Sequence, residues 1–215
     1  MMTPTPQPAF AAPTGSALPP VLDACCGPRM FWFEKRDGRA LFIDKRRETL
    51  HADTREGRRE IVVDPDIIAD FRRLPFDDGT FTLVVFDPPH TFAGPNGWTA
   101  KKYGRLPEDW KEQIGLGFRE CFRVLAPLGT LIFKWHEHRV PVSSILALTP
   151  EKPLFGQRCG TTARTHWIVF LKPGDQPPQN AEVSDPGGPS ASASANRVAP
   201  PGFAAPSGSG DFLKP

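Results

Sequence analysis

Four short apolar runs in the first ninety residues each close on an aspartate: Val21-Leu22-Asp23, Ala40-Leu41-Phe42-Ile43-Asp44, Ile67-Ile68-Ala69-Asp70, and Phe81 to Phe86 followed by Asp87. Runs of this length, bounded by turn residues and rich in branched and aromatic side chains, read as buried strands of a mostly parallel sheet. A sheet built from them carries its four carboxylates along one edge. In open α/β sheets that edge, outside the carboxyl ends of the strands, is where ligands bind. Asp87-Pro88-Pro89-His90 ends the fourth run most abruptly. The two prolines fix φ and donate nothing to a ladder, so the backbone there is stiff and its carbonyls point outward. Asp87 and the Pro88 carbonyl can each accept one N–H of an amino group, with the flat ring of His90 covering its plane. The same residues also suit an ordinary proline-terminated turn.

After Asp23 come Ala24, Cys25, Cys26 and Gly27, small residues where a first strand turns toward its crossover. Gly27 permits close backbone approach to a ligand. One glycine does not make a dinucleotide fingerprint. Asp44, at the second strand tip, stands where a ribose hydroxyl is commonly held.

The rest of the chain continues the alternation of strands and helices. Glu48 to Asp66 lacks helical periodicity and suggests a hairpin, with Thr49–His51 and Ile61–Val63 as its arms. Phe92 to Leu106 reads as a long loop holding Trp98, Lys101, Lys102, Tyr103 and Arg105; such a loop beside a site serves as a lid or a binding loop, or is solvated and charged. Beyond Pro107, Trp110, Ile114, Phe118, Phe122 and Leu125 mark one buried helical stripe. Thr130–Trp135 follows as a strand, Ser143–Leu148 as a short helix, and Leu154–Gln157 with Thr165–Lys172 as a final antiparallel pair joined through Cys159–Arg164.

The motifs Asp23-x-x-x-Gly27, Asp44, Asp70-x-x-x-Leu74-Pro75-Phe76 and Asp87-Pro88-Pro89-His90 resemble those of class I S-adenosylmethionine-dependent methyltransferases, nearest to the amino-methyltransferases with an Asp-Pro-Pro-aromatic motif. The stretches around Asp23–Phe33, Gly129–Trp135 and Thr165–Phe170 are similar to small methyltransferases of phages and prophages. The resemblance spans about residues 21 to 172. It implies a Rossmann-like α/β sheet, mostly parallel with an antiparallel terminal hairpin and helices on both faces. It implies S-adenosyl-L-methionine as cofactor, with Asp23, Ala24, Cys25 and Gly27 near its methionine part, Asp44 on the ribose and Asp70 near the adenine. It also implies Asp87, Pro88 and His90 as catalytic residues, in a transfer to an exocyclic amino group of a nucleic-acid base, adenine N6. Because His90 replaces the larger rings usual at that place, Phe92 or Trp98 shares the stacking, and Lys134 contacts substrate. The same motif suits a protein amide or a small-molecule amine, and a cofactor-binding but inactive module is the third reading. Pro28 and Arg29 depart from the small residues of many relatives.

Composition fits one enzyme domain. With 215 residues and 39% hydrophobic side chains, one core is affordable and a second is not. Residues 1–20 and 173–215 are rich in Pro, Ala, Gly and Ser and read as disordered tails flanking a domain at 21–172. The domain itself carries twenty-four basic and twenty acidic groups, a mild excess compatible with a DNA or RNA partner. No apolar run is long enough for a membrane span and no leader is apparent, which places the chain in the cytoplasm. Cys25, Cys26, Cys121 and Cys159 have no zinc spacing and read as reduced fillers, and His136-Glu137-His138 reads as a solvent-facing turn, so no metal is expected.

Overall fold

The computed structural model describes residues 17–54, 57–92, 94, 97–158 and 164–174. The expectations for residues 1–16 and 175–215, and for Cys159 to Ala163, fall outside them. Seven strands form one sheet: β1 (Val21–Asp23), β2 (Ala40–Asp44), β5 (Ile67–Ile68), β6 (Phe81–Phe86), β7 (Leu125–His136), β8 (Phe155–Arg158) and β9 (Thr165–Leu171). Their order is β5-β2-β1-β6-β7-β9-β8. All neighbours from β5 to β7 run parallel, while β9 is antiparallel to both β7 and β8. The order reverses between β1 and β6, the switch point of a doubly wound α/β sheet. The fold is therefore the Rossmann-like sheet that the alternation of elements implies, with the terminal antiparallel pair in place.

The hairpin expected at 48–66 is a separate two-stranded ribbon, β3 (Glu48–Thr54) against β4 (Gly57–Val63). It occupies the crossover between β2 and β5, where a parallel pair more often has a helix. Several boundaries differ from the sequence reading: β7 begins at Leu125, the last residue of the expected helical stripe, rather than at Thr130, and the helix expected at Ser143–Leu148 spans Val142–Leu146. The third acid-ended strand stops at Ile68: the Ala69 N–H makes the last bond to β2, on the Asp44 carbonyl, and the chain then turns at Asp70–Arg73. The loop at 92–106 contains a short helix, α1 (Trp98–Tyr103), ended by Gly104 at φ 78°. A Cβ at Gly104 would lie 3.1 Å from Pro89 Cγ, so glycine lets this helix end lie against the proline turn.

Strand alternation sorts the sheet into two faces. One face presents Leu22, Ile43, Val84, Phe86, Leu131, Phe133, Ile168 and Phe170 to the main core. Helix α2 (Trp110–Val124) packs there through Ile114, Phe118, Cys121 and Phe122, the expected stripe. Phe118 meets Phe86, Phe133 and Phe170 at centroid distances of 5.6, 4.8 and 6.1 Å. A small helix, α3 (Val142–Leu146), adds Ile145. On the other face Trp32, carried by the turns between β1 and β2, covers Phe42 edge-on at 4.8 Å. Trp135 is fully buried beside Phe133 and donates its indole N–H to the Val140 carbonyl at 3.0 Å. Its neighbour Lys134 points the opposite way, toward Asp87. No helix among the described residues is long and apolar enough to cross a membrane.

Gly117 shows how tightly α2 seats on the sheet. A Cβ there would meet Phe86 Cζ at 2.5 Å and Phe71 Cδ2 at 2.8 Å. Gly117→Ala gains about 1 kcal/mol of helix propensity. Overpacking of this kind costs about 1–3 kcal/mol or more, and contacts below 3 Å with two rings lie at the upper end. Urea denaturation should therefore find the variant less stable than wild type by about 1–2 kcal/mol.

Candidate active site

A cavity of about 230 Å³ opens at the carboxyl ends of β1, β2 and β6. Cys25, Cys26 and Gly27 from the turn after β1 line it, together with Asp44 at the tip of β2, Asp87 after β6 and Lys134 on β7. Asp23, Asp44 and Asp87 lie at even steps from Val21, Phe42 and Val85, so all three sit on the face opposite α2. Register also pairs Asp87 with Lys134, one step beyond the last aligned residues Phe86 and Phe133.

Each acid is held differently. Asp23 is fully buried and does not reach the cavity wall: one oxygen accepts the Cys25 backbone N–H at 3.3 Å and the other the Trp32 indole N–H at 2.7 Å. Burial pushes its carboxyl up to about 7, against the lowering effect of the Trp32 and Cys25 bonds. It acts as an internal strut that ties the β1 turn to Trp32. Asp44 accepts the Gly27 N–H at 3.0 Å through Oδ2 and the Arg46 N–H at 2.9 Å through Oδ1. Gly27 adopts φ 48°, a left-handed conformation that glycine takes without penalty, and this aims its N–H at Asp44. Asp87 Oδ2 accepts a charged hydrogen bond from Lys134 Nζ at 2.5 Å. Asp87 Oδ1 is buried and has no hydrogen-bond partner among the described residues. Burial raises the Asp87 carboxyl above its ordinary range, and the Lys134 charge opposes that shift.

The Asp-Pro-Pro-His turn delivers Asp87 and Pro89 to the cavity wall; Pro88 and His90 stand behind it. The His90 ring lies 5.7 Å from Tyr103 and 5.5 Å from His136, and its buried Nδ1 has no partner among the described residues. Burial, then the Lys134 and His136 charges, pull its imidazole down to about 4, so it is neutral near pH 7. Tyr103, at the end of α1, lies on the cavity wall, as do the rings of Phe31 and Phe71. Phe92 instead packs against the main core with Arg139 6.0 Å from its centroid, and Trp98 packs against the ribbon. Asp70 is also outside the wall, its carboxylate bound by the Arg72 N–H and guanidinium, while its neighbour Phe71 lines the cavity. Ala24 is buried in the strand turn, its N–H on the Val85 carbonyl.

Sequence reasoning missed Tyr103, Phe31, Lys45, Arg46 and Phe71 as wall residues. Lys45 and Arg46 follow Asp44 directly, which was the available signal. Tyr103 had none beyond its place in the loop. Of the three aromatics after the β1 turn, Phe31 lies on the cavity wall, Trp32 packs on Phe42 and Phe33 is fully exposed. Arg29 does structural work: its guanidinium lies 3.9 Å over the Phe42 ring and bonds to the Lys35 and Asp64 carbonyls and to Asp66 Oδ1. At the end of β7, His136 Nδ1 lies 2.9 Å from Thr165 Oγ1, and Glu137 Oε1 accepts the Val142 N–H at 2.7 Å. No group of ligands suited to a metal occurs among the described residues.

No protein-family model and no curated protein matches the sequence. Solved structures do resemble the chain. A Pyrococcus horikoshii OT3 protein aligns at 18% identity over 71% of this chain and 81% of its own, with a TM-score of 0.46. The Burkholderia thailandensis 1,6-didemethyltoxoflavin-N1-methyltransferase, bound to 1,6-didemethyltoxoflavin and S-adenosylhomocysteine, aligns at 14% over 71% and 70%, with a TM-score of 0.43. A Methanosarcina mazei SAM-dependent methyltransferase aligns at 12% over 72% and 92%, with a TM-score of 0.44. At these identities and scores, what the site can do is read from its own geometry.

The raised Asp23 carboxyl has a sign that can be checked. Its folded pKa lies above the unfolded value of 3.8, so the native state binds the extra proton. Its stabilising effect is complete below about 4 and is lost as pH rises through about 7, at up to about 1.4 kcal/mol per pH unit. Asp23→Asn removes this titration. Urea midpoints measured from pH 4 to 7 should fall more steeply with pH for wild type than for the variant.

Proposed function

We propose that this chain is an S-adenosyl-L-methionine-dependent N-methyltransferase acting on the exocyclic amino group of a nucleic-acid base, adenine N6. The observation that carries the proposal is Asp87: a buried carboxylate at the switch point of a doubly wound sheet, one oxygen on Lys134 and the other without a partner. A buried acceptor left unmade costs about 1–3 kcal/mol, so an N–H donor brought to Oδ1 is favoured by a comparable amount.

The cofactor's place fits the residues present. Asp44 Oδ2 has one backbone donor and keeps acceptor capacity for a ribose hydroxyl, while Oδ1 accepts both the backbone N–H and, at 3.4 Å, the Nε of Arg46. Cys25, Cys26 and Gly27 bring backbone and small side chains against the same cavity. Asp23 acts there through the β1 turn, and Phe71, rather than the Asp70 carboxylate, supplies the wall toward an adenine. The bound cofactor supplies an electrophilic methyl group.

An aromatic amine is a poor nucleophile because its lone pair is delocalised into the ring. Asp87, accepting an amino N–H, favours a pyramidal nitrogen and frees that lone pair. The gain is one of positioning and electrostatics in a site shielded from water. Lys134 opposes the protonation that burial favours and fixes the rotamer of the acceptor. Tyr103 takes the covering role that the sequence reading gave to His90, Phe92 and Trp98, and neutral His90 supports that ring from behind.

Two variants test the reading. Asp87→Ala should retain cofactor binding by calorimetry and lose about a hundredfold or more in transfer, since an acceptor of this kind is worth about 3 kcal/mol. Lys134→Met removes the charge that opposes protonation of Asp87. The pH dependence of kcat should then shift to higher pH, because the working form is the carboxylate. The decisive assay is transfer of a tritiated methyl group to DNA, RNA and protein pools, followed by nucleoside digestion. Label in N6-methyladenosine or its deoxy form supports the proposal; label confined to protein or to small amines overturns the base assignment.

A further inference from the structure

A second cavity, of about 270 Å³, lies beside the first between the β3–β4 ribbon, α1 and the turn after β1. The two share Pro28, Met30 and Lys102 in their walls, so they adjoin. Its other walls include Lys35, Arg59 and the Trp98 indole. Three cations thus face one acid, Glu60. Lys102 Nζ stands 5.5 Å from the Trp98 ring centroid and 5.0 Å from that of Tyr103, and so bridges the aromatic walls of both cavities.

The groove is built on fastened elements. Ile61 and Val63 of the ribbon are buried against Leu50 and Trp98. Lys101 Nζ bonds to the His51 carbonyl at 3.2 Å, and Arg46 Nη1 bonds to the Lys101 carbonyl at 3.1 Å. Helix α1 is therefore tied on one side to the ribbon and on the other to the residue that braces Asp44. Surface cations scattered in solvent would not require such a frame.

Resting on the proposed base methylation, we infer that this groove binds the nucleotide flanking the target in a single-stranded polynucleotide. Lys35, Arg59 and Lys102 contact its phosphodiester, and Trp98 stacks on its base. Cationic side chains along a groove, with aromatic faces between them, track a backbone while tolerating any base. A free nucleoside or a small amine fills the first cavity alone and leaves the second unused. The chain should accordingly prefer an oligonucleotide to a nucleoside, and the ribbon is its substrate-selecting element.

The test uses the full chain with fluorescein-labelled single-stranded DNA and RNA oligonucleotides of one adenine-containing sequence. Wild type should favour either oligonucleotide over the matching nucleoside by at least about tenfold in kcat/KM. In the Lys35→Ala/Arg59→Ala protein the preference should collapse toward unity, and the slope of log affinity against log salt should fall by about 0.7, the value for one neutralised phosphate of a single strand. Lys35→Arg/Arg59→Lys should restore both, which separates lost charge from misfolding. The DNA and RNA arms identify which strand is used. A double-alanine variant with wild-type slope and chain-length preference overturns the groove while leaving base methylation intact. Methylation of nucleosides and oligonucleotides with equal efficiency by wild type overturns it too. Absence of label in any nucleic acid overturns the base assignment with it.

Discussion

Side chains along a strand alternate between the two faces of a sheet, and the site depends on that alternation. Because Phe42 and Val85 sit two residues before Asp44 and Asp87, one face receives apolar packing and then, at the strand ends, carboxylates. Parallel pairing of β2, β1 and β6 brings those ends to the same edge. Lys134 joins them because β7 is in parallel register with β6. A slip of one residue in any of these strands would turn its acid into the phenylalanine-rich core under α2.

Concentrating carboxylates in a poorly hydrated place is costly, and the molecule meets the cost with a separate device at each position. Asp23 is neutralised in part by holding its proton and in part by the Trp32 indole. Asp44 is given backbone N–H groups from both flanks. Asp87 is given a lysine on one oxygen only. That asymmetry separates a structural acid from one able to engage a donor from outside. The aromatic shell contributes as well. Phe31 stands 5.5 Å edge-on to Trp167, and Lys134 lies 5.6 Å from Phe31 and 5.7 Å from Trp167, so the cation sits among ring faces that stabilise its charge.

The β3–β4 ribbon has a comparable place in the architecture. A helical crossover between β2 and β5 would cover the sheet and nothing else. The ribbon instead packs on α1 and lines the second cavity. The Asp70–Phe76 segment beyond it is stitched to α2 by the Leu74 N–H on Glu120 Oε2 at 2.7 Å and by Arg123 on the Leu74 and Phe76 carbonyls. These bonds hold Phe71 against the cavity and against Phe86 at 5.2 Å.

Local signals were enough for most of the elements. Apolar runs ending in aspartate marked β1, β2 and β6, four-residue spacing marked α2, and the absence of helical period marked the ribbon, because each depends on residues close together in the chain. Asp44 and Asp87 were legible as residues of the strand-end cavity for the same reason. What the chain order could not carry was which ring meets which cavity. Tyr103 reaches the wall only because Gly104 lets α1 end against Pro89, while Trp98, five residues earlier, is drawn to Ile61 and Val63 on the ribbon. The partners of the acids were equally hidden: Trp32 for Asp23 and Lys134 for Asp87 depend on the register of strands and turns distant in sequence. Pattern along the chain decides where a strand or helix forms; contacts between segments nine to forty-seven residues apart, as in those two pairs, are decided by packing alone.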